Sequence, residues 1–373
     1  MQFIDLKKQY QLNKEKIDKA VLEVLADGRY IMGPQVKELE ERLAKFVGVK
    51  HCISCSNGTD AMTIPLMAME IGKGDAVFTT AFTFFATAEV IALRGAVPVF
   101  VDIDPDTFNI DPDALEIQIQ RVIAEGKLNA KAVIAVDLFG LPADYFRLRN
   151  VTKKYGLTLI EDGAQGFGGE IIGKRSCSFG DIATTSFFPA KPLGCYGDGG
   201  AIFLNDDEMA QKCESIRVHG KGSEKYDNVR IGLNARLDTI QAAILSCKLD
   251  IFPSEIESRQ RVAQKYTELL NDIVKTPVIP KGFLSAYAQY TVMLPEDARR
   301  DQIMAKMKEK GIPTFVYYPK PMHLQGAFSA LGYKQGDFPH AEAACERVLS
   351  LPMHPYLEDE KIEKIATALR ESL

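Results

Sequence analysis

Residues 186–200 read Ser186-Phe187-Phe188-Pro189-Ala190-Lys191-Pro192-Leu193-Gly194-Cys195-Tyr196-Gly197-Asp198-Gly199-Gly200. A single lysine, Lys191, stands between two prolines and ahead of four glycines. The prolines remove backbone donors and the glycines open backbone space, so neither helix nor strand suits this stretch and Lys191 is presented on a shaped loop. A lysine so held becomes a nucleophile when burial or a neighbouring cation lowers its pKa, and it can then form a Schiff base with an aldehyde cofactor. A lysine taken in isolation reads as a solvated surface charge. The residues that accompany Lys191 decide between the two.

Upstream, short apolar runs alternate with helical stretches. Ala76 to Thr79, Val97 to Asp102, Ala132 to Asp137, Thr158 to Asp162, Ile182 to Ser186 and Ala201 to Leu204 are candidate strands. Near-continuous runs of this kind, separated by helices, predict an α/β chain with a mainly parallel sheet covered on both faces. Ligands of such sheets collect outside the carboxyl ends of the strands, where Asp162 and Ser186 are expected. Asp162 ends the run Leu159-Ile160-Glu161-Asp162 and is followed by Ala164 and Gln165. A carboxylate there can hold a heterocyclic nitrogen protonated, or it can cap the next turn.

The segment His51-Cys52-Ile53-Ser54-Cys55-Ser56-Asn57-Gly58-Thr59-Asp60 is a short strand that breaks at Asn57-Gly58 and restarts as a helix near Thr59. Such a turn leaves backbone N–H groups free at the positive end of a helix dipole, where a phosphate can bind. Thr59 or Asp60 acting only as a helix cap is the alternative. Two other strings mislead. Gly168 to Lys174 fits G-x-x-x-x-G-K, but Arg175 follows where a nucleotide loop needs serine or threonine. The glycines at 194–200 do not match a dinucleotide fingerprint.

Composition narrows the class. With 373 residues the chain is long for one core, so two domains are expected. Apolar content of 46% and charged content of 25% are ordinary for a globular protein. A net charge of -5 offers no basic stripe for nucleic acid, and no apolar window suggests a signal peptide or a membrane span. Seven cysteines point to reduced thiols and a cytoplasmic setting. Cys52 and Cys55 form a C-x-x-C without a second ligand pair, and five histidines show no paired spacing, so no metal site is expected.

Outside the alternating region, helices are expected over Lys14 to Leu25, ended by Gly28, and from about Val36 to Phe46. From about Leu237 the chain turns helical again, and the boundary between a domain of residues 1–250 and one of 251–373 falls inside this connection. The second unit reads as a small α+β domain. Its elements are strands at Tyr290 to Met293 and Phe315 to Tyr318, a helix over Asp301 to Lys310 and a last helix from Asp359.

Taken together, Asn57-Gly58-Thr59-Asp60-Ala61, Phe82-Thr83-Phe84, Glu161-Asp162-Gly163-Ala164-Gln165, Ser186-Phe187-Phe188-Pro189-Ala190-Lys191 and Gly232-Leu233-Asn234-Ala235-Arg236-Leu237-Asp238 occur in that order. In this order they resemble the DegT/DnrJ/EryC1/StrS family of pyridoxal-phosphate-dependent nucleotide-sugar aminotransferases. The resemblance implies the aspartate-aminotransferase fold, fold type I, with a large mainly parallel-sheet domain, a small C-terminal domain and a homodimer sharing its active sites. It implies Lys191 as the lysine that bonds pyridoxal 5'-phosphate, Asp162 as partner of the pyridinium nitrogen, Gln165 at the ring hydroxyl and Phe84 stacked on the ring. Ser186 and the Gly58-Thr59-Asp60 turn are implied to hold the phosphate, helped by Asn234 from the partner subunit. Gly163 departs from the alanine usual in relatives.

The C-terminal strings Tyr287-Ala288-Gln289-Tyr290, Val316-Tyr317-Tyr318-Pro319 and Leu351-Pro352-Met353-His354-Pro355-Tyr356 look most like one branch of that family. That branch aminates C3 of a UDP-2-acetamido-2-deoxy-3-keto-hexuronic acid, with L-glutamate as donor, for surface polysaccharides. Tyr317, often histidine there, and Tyr318 are implied substrate contacts. Arg236 is implied from the second subunit, its planar fork suited to a carboxylate. His219 and His323 are further candidates for the substrate, with a packed histidine as the alternative for each. A different sugar, dTDP-3-keto-6-deoxy or UDP-4-keto, and a non-catalytic cofactor-binding regulator are the competing readings.

Overall fold

The computed structural model describes every residue of the chain except 225. Two helices come first, α1 (Leu6–Asp27) and α2 (Pro34–Val47). The expected alternation follows as β1 (His51–Cys55), α3 (Gly58–Ala68), β2 (Asp75–Thr80), α4 (Ala86–Leu93), β3 (Val97–Val101), α5 (Pro112–Glu125), β4 (Asn129–Val136), α6 (Tyr145–Tyr155) and β5 (Thr158–Asp162). Next are β6 (Glu170–Ile171), β7 (Lys174–Arg175), β8 (Ile182–Ser186), β9 (Gly200–Leu204), α7 (Asp207–Arg217) and the long α8 (Thr239–Leu270). The chain closes with β10 (Phe283–Leu284), β11 (Tyr290–Met293), α9 (Arg300–Glu309), α10 (Pro339–Arg347), β12 (Val348–Leu351) and α11 (Asp359–Arg370).

Seven strands form one sheet in the order β1-β9-β8-β5-β4-β2-β3. All run the same way except β9, which is antiparallel to β1 and β8. Its reversal has a consequence for the loop that carries Lys191. Gly200 at the start of β9 pairs with Cys55 and Ser186, the last residues of β1 and β8, so residues 187–199 connect two strands at the sheet's carboxyl edge.

Alternate residues of each strand point to opposite faces, and both faces are covered. Val77, Ile134 and Ile160 pack with Met62, Leu66, Val90 and Ile91 from α3 and α4. Phe78, Val133 and Leu159 pack with Leu115, Ile119 and Leu148 from α5 and α6. This two-sided burial explains why the strands read as continuous apolar runs.

Helix α8 joins the two ends of the molecule. Leu245, Leu249, Phe252 and Ile256 pack in the cluster that holds α2, Phe187 and Phe203. Val262, Ala263, Tyr266 and Leu270 pack with β11, β12 and α11. The helix crosses residue 250 unbroken, and its packing passes from one cluster to the other between Ile256 and Val262. The N-terminus joins the C-terminal half, with Phe3 edge-on to Phe315 at 4.7 Å and the Phe3 carbonyl accepting from the Met353 N–H at 3.0 Å.

Several local expectations change. Helix α1 begins at Leu6 rather than Lys14, because the Asp5 side chain accepts from the Lys8 N–H at 2.9 Å and caps it there. Phe315 to Tyr318 is no strand: only Phe315 bridges, to Ser350, and the chain bends before Pro319 and Pro321, which lack donors. The string at 168–174 builds β6 and the turn into β7, paired with β10. All seven cysteines are buried free thiols.

Phe252 is fully buried, its ring 5.7 Å from Phe46 and 5.6 Å from Phe167. Phe252→Ala is expected to cost about 3–5 kcal/mol of stability, read as a lower urea midpoint; an unchanged midpoint would show that α8 does not anchor this core.

Candidate active site

The side chains of interest gather where the strands end. From β1 comes the turn into α3: Asn57 is the N-cap, its side-chain oxygen accepting from the Asp60 N–H at 2.8 Å. The capping alternative is therefore met by Asn57, not Thr59 or Asp60. The Asp60 carboxylate is held locally, accepting from Ser56 Oγ and, at 2.9 Å, from Asn57 Nδ2. A Cβ on Gly58 would lie 2.7 Å from the Ser186 Cβ, so glycine alone lets the amino end of α3 stand beside the Ser186 hydroxyl at the end of β8. Two unlike signals in sequence thus become one anion cradle: free N–H groups, a helix dipole and a hydroxyl.

Asp162, at the end of β5, is 4% exposed. Its Oδ2 accepts from Thr87 Oγ1 at 2.9 Å and its Oδ1 from the Ala164 N–H at 3.2 Å. Burial raises its pKa, while these bonds and the charge of Lys191 act in the opposite direction. Lys191 responds in kind: burial lowers its pKa and the Asp162 carboxylate raises it. A half-buried amine and a buried carboxylate therefore feel each other's charge at the strand ends, each shifted by burial in the direction of its neutral form.

Gln165 is buried, its Oε1 accepting from the Phe139 N–H at 2.8 Å and its Nε2 donating to the Tyr318 hydroxyl at 3.2 Å. Tyr318 packs edge-on to Phe82 at 6.2 Å and tilted to Phe84 at 6.2 Å. Phe84 is 55% exposed although large and apolar, leaving a face free for a planar ring. Tyr317 lies beside Tyr318 and packs on Phe315 and Phe3.

Beneath these residues is a buried acidic layer. Glu161 accepts from the N–H groups of Phe179 at 2.7 Å, Gly180 at 3.1 Å and Cys177. Asp137 Oδ1 accepts from the Tyr145 hydroxyl at 2.7 Å and the Ala143 N–H at 3.1 Å. Burial and the neighbouring Glu161 push the Asp137 carboxyl well up. A Cβ on Gly166 would meet Asp137 Oδ2 at 2.2 Å, so this layer touches the turn that carries Gln165.

Asn234, Arg236 and His219 form a separate group on the exposed segment before α8. Arg236 Nε donates to Asn234 Oδ1 at 2.9 Å, Asn234 bridges to Val218, and the His219 N–H donates to the Leu233 carbonyl at 2.8 Å. Val229 and Ile231 on the same segment are 54% and 85% exposed. His323 is enclosed instead, its Nε2 3.1 Å from Glu342 and its ring 4.7 Å from Phe338. It is thus packed, with the Glu342 side chain as its partner. Among the described residues no group of three or more histidine, cysteine, aspartate or glutamate side chains could hold a metal ion.

No sequence motif singles out Thr87, the second residue of α4; its hydroxyl is 3.1 Å from that of Thr83, which lies in the irregular segment before the helix.

An anion cradle, a buried carboxylate suited to a protonated ring nitrogen and a half-buried amine suited to an aldehyde fit pyridoxal phosphate group by group. Fold and site thus define a pyridoxal-phosphate-dependent aminotransferase of fold type I. The DegT/DnrJ/EryC1/StrS aminotransferase family pattern matches residues 11–370, and the chain belongs to that family. It is 49% identical to the UDP-2-acetamido-2-deoxy-3-oxo-D-glucuronate aminotransferase of Pseudomonas aeruginosa over 99% of both chains. A crystal structure of a DegT/DnrJ/EryC1/StrS aminotransferase from Brucella abortus superposes with a TM-score of 0.96 at 50% identity, covering 100% of this chain and 99% of that one. NtdA of Bacillus subtilis, solved with bound PMP cofactor, superposes with a TM-score of 0.86 at 29% identity, covering 96% of this chain and 82% of that one.

The raised Asp162 pKa carries a sign that can be checked. Its carboxyl binds a proton more tightly folded than unfolded, so the cofactor-free protein loses stability as pH rises through the folded pKa. Asp162→Asn abolishes that loss. The melting temperature of the cofactor-free variant is expected to gain on wild type as the pH is raised above about 4, the ordinary carboxylate range, while its affinity for pyridoxal phosphate falls. A constant difference above that pH would mean the carboxyl is not penalised by burial.

Proposed function

We propose that this enzyme moves an amino group from L-glutamate to C3 of a UDP-2-acetamido-2-deoxy-3-keto-hexuronic acid, in the supply of amino sugars to surface polysaccharides. One observation carries the chemistry: the Lys191 amine and the Asp162 carboxylate feel each other's charge at the sheet edge where the α3 N-terminus stands beside Ser186. The sugar rests on the 49% identity to the P. aeruginosa enzyme.

In this reading the α3 amino end at Gly58, Thr59 and Asp60, together with Ser186, binds the phosphate. Asp162, steadied by Thr87, keeps the ring nitrogen protonated. Gln165 meets the ring hydroxyl, and its orientation follows from the Phe139 N–H, which occupies Oε1 and leaves Nε2 as donor. Phe84 covers one face of the ring. When bound, pyridoxal phosphate supplies an electrophilic aldehyde and an electron-withdrawing ring. Lys191 Nζ is the group that would bond its aldehyde carbon. The same Nζ would take a proton from the substrate carbon and return it, a general acid–base role that its burial-lowered pKa suits. The same two steps run with glutamate and, in reverse, with the ketosugar.

Asn234 and Arg236 reach the site of a second copy in this proposal, Asn234 at the phosphate and Arg236 at the uronate carboxylate. The exposed Val229 and Ile231 beside them support a surface that docks on a partner subunit. Tyr317 and Tyr318 line the sugar side, with His219 on the same segment as Arg236. The chain divides accordingly into a large cofactor-binding unit, residues 1–250, and a smaller unit, 251–373. No described helix is long and apolar enough to cross a membrane.

The purified protein is expected to be yellow, to lose that colour with glutamate and to regain it with the ketosugar. Lys191→Ala is expected to abolish turnover and the borohydride-fixed label on the loop peptide; retained turnover would refute its role. Mass spectrometry after a panel of UDP- and dTDP-ketosugars identifies the sugar, and amination of only dTDP-linked or 4-keto members would overturn the uronate reading. Arg236→Met is expected to raise the KM for the uronate on the order of 10- to 100-fold, about 1.5–3 kcal/mol for a lost charge-assisted pair, with a much smaller effect on a substrate lacking the carboxylate.

A further inference from the structure

Three polar residues of α8, Gln241, Lys248 and Glu255, follow at intervals of seven and so share one stripe of the helix, two turns apart. The first two grip the loop that carries Lys191. Gln241 Oε1 accepts from the Tyr196 N–H at 2.8 Å, and its Nε2 donates to the Tyr196 carbonyl at 3.4 Å. Lys248 is 1% exposed; its Nζ donates to the Gly194 carbonyl and lies 5.1 Å from the centre of the Tyr196 ring. Burying an ammonium is unfavourable unless it is bonded, and this one is directed at a backbone carbonyl three residues from Lys191.

Gly194 passes the constraint on. A Cβ there would lie 2.6 Å from the carbonyl oxygens of Phe188 and Pro189, so the Gly194 peptide is wedged against the limb that leads into Lys191. The Lys191 N–H itself donates to the Phe188 carbonyl at 2.9 Å. Contacts therefore run without a gap from Lys248 Nζ through Gly194 and Phe188-Pro189 to the Lys191 backbone.

We infer that Lys248 is a positioning residue for Lys191: its buried ammonium fixes the Gly194 carbonyl and, through it, the placement of the Lys191 amine against Asp162. This rests on the reading of Lys191 as the residue that bonds the cofactor, and it adds a side chain that touches neither cofactor nor sugar. The groups facing Nζ are Glu255 and Arg259 from its own helix and Cys195 and Tyr196 from the loop. Burial lowers Lys248 to about 8, with Glu255 opposing. Glu255 in turn accepts from Gln9 Nε2 at 2.9 and 3.1 Å and from the Tyr356 hydroxyl, so the stripe that steadies the loop is fastened to α1 and to the C-terminal segment.

Lys248→Met removes the donor at similar length, and Lys248→Gln is a milder variant to be read alone if the first does not fold. Three measurements are made: hydrogen exchange of the cofactor-free protein, pH titration of the visible absorbance of the loaded enzyme, and steady-state kinetics with glutamate. Faster exchange confined to residues 187–199, a displaced absorbance midpoint and a kcat lower by about 10- to 100-fold, with KM for glutamate nearly unchanged, are expected. Exchange that is unaltered or raised evenly over the whole chain, or a kcat loss with the absorbance midpoint in place, would overturn the inference. If borohydride labelling of wild type falls on another residue, it is the reading of Lys191 that fails; the exchange of the cofactor-free loop still reports whether Lys248 holds it.

Discussion

The charge interaction between the half-buried Lys191 amine and the buried Asp162 carboxylate is the constraint from which the rest of the site follows. Each group taken alone is penalised by its surroundings, the acid shifted upward and the amine downward. Two groups held in that condition bind strongly whatever supplies a cation to one and an electrophile to the other. The structure must therefore hold both in fixed orientation. Thr87 and the Ala164 N–H do this for Asp162. The α8 stripe of Gln241 and Lys248 does it for the loop.

The sheet makes such precision possible. Parallel strands deliver their carboxyl ends to one edge, and covering helices on both faces leave only the connecting loops free to vary. β1, β8, β5 and β4 deliver Gly58, Ser186, Asp162 and the segment with Phe139, in nearly the spatial order of the sheet. The reversed strand β9 lets the Lys191 loop leave and rejoin the same edge, so both of its ends are anchored by sheet pairing. A loop tethered at both ends and gripped in the middle has little freedom to lose when a cofactor binds.

The second group of residues, Asn234 and Arg236, obeys a different logic. They lie on an exposed segment with uncovered apolar side chains, bonded to one another rather than to the strand-end residues. In the proposed homodimer, a guanidinium fork presented from a neighbouring copy could be altered for a new sugar without moving the strand-end residues.

The family, the alternating strands and the ends at Asp162 and Ser186 were legible in the chain alone, because strands buried on both faces write continuous apolar runs and proline–glycine punctuation marks the loop between them. The sequence also determined that Lys191 is unlike other lysines, through neighbours close along the chain. Only the tertiary structure decided what depends on contacts between distant segments. It placed Thr87 on Asp162, Phe139 on Gln165 and Lys248 on Gly194, pairs 26 to 75 residues apart that no local period encodes. It withdrew His323 into a pocket of Phe338 and Glu342, since exposure of a lone histidine is set by what folds over it. It dissolved the expected strand at 315–318, because a run of β-forming residues becomes a strand only where a neighbour offers a continuous ladder.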